Sequence, residues 1–346
     1  MTLPHSRRLV RLSACLIGIT LLAHAPRALA QGSNAGLVAA LDATVREWTQ
    51  AHQVPAASVA AMKDKSVVAS FGYGGMHPAK PARIASLSKA ITAVCIARLI
   101  DEGRLSFTSP LGTVLAGPFK QFGQPVDPRF KSITIEQLLT HRAGLAREAR
   151  GGPPVHDMAG TFTRALATPL ENDPGGGMAY SNIGYLTLGM VAQTVTGRVY
   201  ERHCGATALA PMQASGFIDP LLRQRAPNGG WRVSAIDYAK FIQVFEPSAG
   251  ALGKASSAWQ QGLDGHPIYG LGTYLRRTAQ GVMFWHSGRV ALRERGGAYT
   301  IKFDNGWTTV VMFEGDPRGG VADLRRRLTA AVRAPNTVPT IDGSDQ

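Results

Sequence analysis

Charge, cysteine and aromatic residues are all scarce in this chain. Of its 346 residues, 17% are charged, 7% are aromatic and three are cysteine. A hydrophobic share of 45% with so little charge excludes a disordered chain, which cannot bury enough apolar surface to fold. Three cysteines are too few for a small disulfide scaffold. Several active-site signatures are missing as well: G-x-S-x-G, H-E-x-x-H, C-x-x-C and G-x-x-x-x-G-K. Gly72-Tyr73-Gly74 and Gly270-Leu271-Gly272 lack the third glycine of a dinucleotide loop. These absences argue against a strand–turn–helix nucleophile elbow, a zinc protease of that type and the usual nucleotide enzymes. The sequence calls for no cofactor and no metal. Glycine and proline, by contrast, are plentiful at 39 and 21, together about 17% of residues against a usual ~12%, so loops are extensive.

The first thirty residues read as an export signal. Arg7, Arg8 and Arg11 form a basic start, Leu12 to Ala23 is apolar, and Ala28-Leu29-Ala30 is a small-residue cleavage site. The apolar run is too short for a membrane span, and no later stretch reaches the roughly eighteen residues a span needs. The chain is therefore expected to be periplasmic or secreted, with no transmembrane segment after signal removal. Without residues 1–30 the net charge falls from +14 to +10. The basic residues are scattered apart from Arg325-Arg326-Arg327, and no run is interleaved with aromatics as a nucleic-acid groove requires. Nucleic acid is thus not expected as a partner. Cys95 falls in a strongly apolar helical segment, which favours buried free thiols at Cys95 and Cys204 over a bridge between them.

Leu37, Leu41, Val45 and Trp48 recur at helical spacing, predicting a helix over 36–52. Two apolar runs, 57–62 and 67–71, flank Lys63-Asp64-Lys65 as a hairpin. Another pair, 298–303 and 307–313, flanks Asp304-Asn305-Gly306, a strong hairpin signal. Val321, Leu324, Leu328 and Val332 mark a last helix. The economical arrangement is an α/β fold: one antiparallel sheet built from both ends, with the terminal helices on one face. Residues 111–224 read as a mostly helical insertion, and 334–346 as a flexible tail. Within the insertion 134–140 is a short helix, 182–196 is a helix opened by Asn182 and stopped by Gly197, and 147–177 is a long loop or lid. The α/β part spans about 36–110 and 225–333, a single catalytic domain with a cleft against the insertion.

Ser86-Leu87-Ser88-Lys89 opens an apolar helix that ends at Gly103. Residues three apart share a helix face, so Lys89 sits beside Ser86 while Ser88 does not. A serine hydroxyl needs a neighbouring base to become a nucleophile, and a lysine serves when burial lowers its pKa from ~10.4. Alone, this motif fits a plain helix cap equally well. Tyr180-Ser181-Asn182 is the only Y-x-N in the chain; its phenol can shuttle protons, and Asn182 can cap a helix. His286-Ser287-Gly288 closes a strand, where the glycine permits close backbone approach.

In this order the three elements resemble the serine β-lactamase and penicillin-recognising superfamily, in particular the class C β-lactamase-related serine hydrolases of the esterase and D-peptidase branch. The segment Ile133-Thr134-Ile135-Glu136-Gln137-Leu138-Leu139-Thr140-His141-Arg142-Ala143-Gly144-Leu145 resembles the same branch, as do Pro174-Gly175, Gly229-Gly230 and the stretch from Ser234 to Phe241. The likeness covers about 37–333. It implies a β-lactamase/DD-peptidase-like fold, with Ser86 as the acylated nucleophile, Lys89 as its deprotonating partner and Tyr180 as proton relay or general base. It also implies that Asn182 positions Lys89 and substrate, that His286, Ser287 and Gly288 line the substrate site, with His286 assisting substrate orientation and charge, and that the N–H groups of Ser86 and Arg289 form an oxyanion hole. His141 is expected to be structural.

Two departures shape the expected activity. His-Ser-Gly in place of Lys-Thr-Gly leans away from an efficient β-lactamase. Arg289 replaces a small residue, and either restricts access or holds a substrate carboxylate as a bidentate pair. The leading expectation is an exported serine hydrolase acting on an ester, a D-amino-acid peptide or a β-lactam. The alternatives are a class C-like β-lactamase proper, a non-catalytic binder of cell-wall peptides, and a basic protein held on an acidic wall polymer.

Overall fold

Along β1 (Ala57–Lys63) the side chains alternate between two cores: Val59 and Ala61 join one, Ala60 and Met62 the other. The same division runs through the whole sheet. In this computed structural model the described residues are Met1, 25–152, 154–246, 268–291 and 295–334, with side chains from Asn34 onward. Beside β1 lie β2 (Ser66–Tyr73), β6 (Ile268–Gly270), β7 (Thr273–Thr278), β8 (Gly281–Ala291), β9 (Arg295–Lys302) and β10 (Trp307–Glu314). They form a seven-stranded antiparallel sheet in the order β2-β1-β10-β9-β8-β7-β6. The two ends of the chain meet at the β1–β10 pair, from Ala57↔Phe313 to Lys63↔Trp307. The β1–β2 turn carries left-handed Asp64 and Lys65, the pattern that matches strand twist in a tight hairpin. The β9–β10 loop is one residue longer than a two-residue turn and closes on Gly306 at φ +85°.

One face is covered by α1 (Ala25–Ala51) and the C-terminal helix α11 (Gly320–Arg333). Leu41, Val45 and Trp48 of α1 and Leu324 and Leu328 of α11 are buried against Val59, Ile301, Val311 and Phe313. The Trp48 indole, set edge-on to Phe313, donates to the Gly320 carbonyl at 2.7 Å, so its polar atom is satisfied as it is buried. The other face receives α2 (Ser88–Asp101), in which every residue from Ser88 to Ala97 is buried. Around it lie α3 (Leu111–Val114), α4 (Ala116–Phe122), α5 (Ile135–Leu139), α6 (Met158–Leu166), α7 (Asn182–Thr196), α8 (Tyr200–Cys204) and α9 (Ala226–Gly229), while α10 (Ala235–Phe241) packs directly on β1 and β10.

Four expectations need correction. The stretch 147–177 is not one loop, because Asp157 caps the nine-residue α6. Ser181, not Asn182, caps α7: its hydroxyl accepts from the Gly184 N–H and donates to the Ala146 carbonyl. The mostly helical stretch also supplies a strand, β4 (Gly216–Ile218), which joins β3 (Ala82–Arg83) and β5 (Trp231–Val233) in a second sheet. Finally, Cys95 and Cys204 form a disulfide with Cα atoms 5.2 Å apart. Helical burial made Cys95 look like a free thiol, but α8 packs alongside α2 and brings the second sulfur to it. The export-signal reading falls largely on residues 2–24 and the tail on 335–346, both outside the described residues. Among the described residues no helix is long and apolar enough to cross a membrane.

Candidate active site

Ser86 does not open α2 itself. It sits in a 3-10 turn, Ala85–Leu87, just before it. Ala85 holds φ at +48°, a left-handed conformation that costs a residue with a Cβ about 1–2 kcal/mol. Strain of this kind gathers where geometry serves more than stability. The turn is pressed against β8. β7 pairs with β8 only as far as Trp285, and beyond that point β8 meets the Ser86 turn instead. A Cβ on Gly288 would fall 2.6 Å from the Ile84 oxygen and 2.8 Å from the Ser86 nitrogen. The glycine expected to admit a substrate backbone thus first admits the nucleophile's own. Gly272, at φ +82°, does the same one turn along, where a Cβ would lie 2.6 Å from the backbone of Lys89 and Ala90.

Lys89 is fully buried. Its Nζ lies 3.4 Å from Ser86 Oγ, donates to the Asn228 carbonyl at 2.8 Å and stands 4.9 Å from the centre of the Tyr180 ring. Burial holds the amine's pKa well below the ordinary lysine value; the Glu148 carboxylate opposes this, and the Arg147 and Arg225 guanidiniums reinforce it. A lysine so placed is available as a neutral base. Ser88, by contrast, is buried and accepts from the Trp231 N–H.

The Tyr180 side chain lies beside that of Ser86. Burial raises its pKa well above the ordinary phenol value, and the neighbouring Ser86 offsets only part of this. The hydroxyl therefore keeps its proton, which suits a relay and not the general base also expected of it. The ring is held by His141, centroid to centroid 4.3 Å, and by the Arg147 guanidinium at 4.9 Å. His141 accepts from the Ser181 N–H, and its Nε2 has no partner among the described residues; burial, aided by the Lys89 charge, keeps it neutral.

His286 is buried between Tyr269, whose hydroxyl lies 3.0 Å from Nε2, and the Ser287 carbonyl, 2.7 Å from Nδ1. Burial, with the nearby Lys89 charge second, pushes its pKa down to about 3. It therefore supplies no charge at neutral pH, contrary to the charge-assisting role expected of it.

Asn182 also departs from expectation. Its side chain donates to Glu148 Oε1 at 2.5 Å, its carbonyl accepts from Asn228 Nδ2, and it makes no direct bond to Lys89. The link runs through Asn228, which holds both residues. Arg289 is ion-paired with Asp316, so it is not an unengaged carboxylate receptor. Ser86, Asn182 and Arg289 line a cleft of about 260 Å³ with Arg147, Glu148, Arg225 and Asn228, and Ser287 lies on the exposed side of β8 outside it. Sequence reasoning missed Glu148, Asn228 and Tyr269. Only Asn228, beside Gly229-Gly230, had a usable signal; Glu148 and Tyr269 reach the site through loop and sheet packing that spacing does not encode.

Comparison with known proteins accounts for this arrangement. The Beta-lactamase family model matches residues 41–334. Protein flp of Staphylococcus aureus strain MW2 is 28% identical over 185 residues, 50% of this chain and 36% of that protein, so the match spans about a third of the curated relative. Among solved structures, a D-stereospecific amidohydrolase from Streptomyces sp. superposes with TM-score 0.67 at 19% identity, over 87% of this chain and 98% of that one. A β-lactamase/D-alanine carboxypeptidase from Pseudomonas syringae superposes with TM-score 0.69 at 15% identity, over 86% and 99%. At these identities the superpositions establish the fold, and the family match over most of the length establishes the kinship: the chain belongs to the β-lactamase family.

Proposed function

We propose that this protein is an exported serine hydrolase that works through an acyl-enzyme on Ser86. The observation that carries the reading is a buried amine of depressed basicity, Lys89, 3.4 Å from a hydroxyl that opens onto a cleft. The neutral amine takes the Ser86 proton as Oγ attacks the substrate carbonyl. Tyr180, beside Ser86 and kept protonated, passes a proton to the departing group. Water then cleaves the ester formed on Oγ, and the same two groups return the proton. The N–H groups of Ser86 and Arg289 stabilise the oxyanion, a pair of donors worth several kcal/mol.

Esters and D-amino-acid amides or peptides are favoured over β-lactams as substrates. The neutral His286 offers no cation at the third motif, and Arg289 is already paired. The name of one structural neighbour, the D-stereospecific amidohydrolase, leans the same way. Export places the mature start at Gln31, which intact mass of protein recovered outside the cytoplasm would verify.

The decisive test is a panel of an activated ester, a chromogenic cephalosporin and a D-alanyl amide, read by turnover and by intact mass. We expect an adduct on Ser86, and a loss of turnover of about 10³-fold or more in Ser86→Ala. Absence of adduct and turnover with all three, or activity that survives Ser86→Ala, sinks the proposal.

A further inference from the structure

A second depression, larger than the catalytic cleft, lies directly beside it. Its volume is about 680 Å³, within the range of ligand-binding sites. Val290 lines both, and Ala82 and Arg83 of its wall precede Ser86 by only four and three residues. Three extended residues reach at most about 10 Å, so the depression begins within that distance of the nucleophile.

Its walls are basic. Lys80, Arg83, Arg232 and Arg295 face it, against the single lining carboxylate of Glu314. Arg83 and Arg232 are fixed from behind by Asp219, whose buried Oδ2 accepts from Arg83 Nε at 2.6 Å and from Arg232 NH1 at 3.0 Å. Lys80 and Arg295 are exposed with no carboxylate partner among the described residues. The cations come from three separate chain segments, so they offer spaced contacts along a groove and not one cradle for a single anion. Met76, Val290 and Phe313 supply apolar wall between them. Preset guanidiniums suit carboxylates, which they can bind through two parallel hydrogen bonds.

We propose that this groove takes an acidic arm of the substrate, a short extended chain with two carboxylates, while the carbonyl under attack sits at Ser86. The inference rests on the acyl-enzyme reading of Ser86 and adds a preference in substrate charge. Two exposed pairings at ~0.7 kcal/mol each correspond to a preference of about tenfold.

The test uses a fluorescein-labelled peptide ester with a Glu-Glu arm and its Gln-Gln counterpart, each made with the arm on the acyl side and on the leaving side. Binding is measured by anisotropy on full-length Ser86→Ala, where no turnover intrudes. Turnover is measured on the active protein. For at least one placement we expect the acidic arm to bind about tenfold more tightly at low ionic strength. The preference should shrink in 0.5 M salt (a Debye length of about 4 Å) and vanish in the surface double variant Lys80→Glu/Arg295→Glu. That variant should process the neutral ester as the parent does, which shows that it is folded. Equal affinity for both arms in both placements, or a preference that survives the double variant, overturns the proposal. If neither ester is turned over but the binding preference holds, the hydrolase reading fails and the groove stands. Turnover of the neutral ester without any acidic preference does the reverse: the hydrolase reading stands and the groove fails.

Discussion

The two faces of the seven-stranded sheet are covered in different ways. On the face under α1 and α11, aliphatic and aromatic side chains interlock, and the Trp48 indole is bonded as it is buried. On the face under α2, Lys89, His141 and His286 are buried together among Tyr180, Tyr185 and Tyr269. The pKa shifts of all three bases are dominated by burial, and all three are pushed toward the neutral form. Burying titratable groups in this way costs stability. One face is built for cohesion; the other gives up cohesion to hold reactive groups, as expected where a sequence breaks the rules that serve folding alone.

Exchanging apolar for titratable on the reactive face tests this contrast most strongly. Lys89→Met should lower turnover by about 10³-fold while leaving the protein at least as stable. The sign with pH follows from linkage. In the unfolded chain a lysine stays protonated up to ~10.4, whereas folded Lys89 releases its proton earlier, so its burial penalty is greatest at low pH and fades as pH rises. The gain in melting temperature from Lys89→Met should therefore be widest at the acid end and shrink toward alkaline pH. A gain independent of pH would contradict the neutral-amine picture.

The cohesive face should respond in the opposite sense. Leu328→Ala, at a fully buried position of α11, should cost about 2–5 kcal/mol in a denaturant titration. Its kcat per folded molecule should stay unchanged, and a large fall in kcat would mean that the two faces are not separable. The effect that is smallest near neutral pH concerns His286. With a folded pKa of about 3 against ~6.5 unfolded, it withdraws stability as pH falls from about 6.5 toward 3. His286→Asn should flatten that acid limb of the melting curve.

The sheet was legible because its signals are local. Apolar runs in 57–62 and 307–313, the turn residues between strands, and helical spacing in 37–48 and 321–332 each fix an element without knowledge of the rest. Lys89 beside Ser86 was legible for the same reason, a spacing of three. What escaped reading depends on distant segments meeting. The disulfide joins residues 109 apart in sequence, and Asn228 links Lys89 to Asn182 from a different helix. The third motif was found by pattern, but its charge state was not, since that depends on the tyrosines packed round the imidazole. Asn182 read as a cap because cap chemistry suits it; Ser181 took the cap and left the amide for Glu148.

Position 288 has one further consequence. Because the nucleophile's amide occupies the room that any β-carbon there would need, the middle of the third motif is a fixed point of the scaffold. Residues 287 and 289, on either side of it in sequence, have exposed side chains. Evolution or a designer seeking new selectivity has those two flanks and the surrounding loops to work with, while the glycine between them keeps the reaction centre where it is.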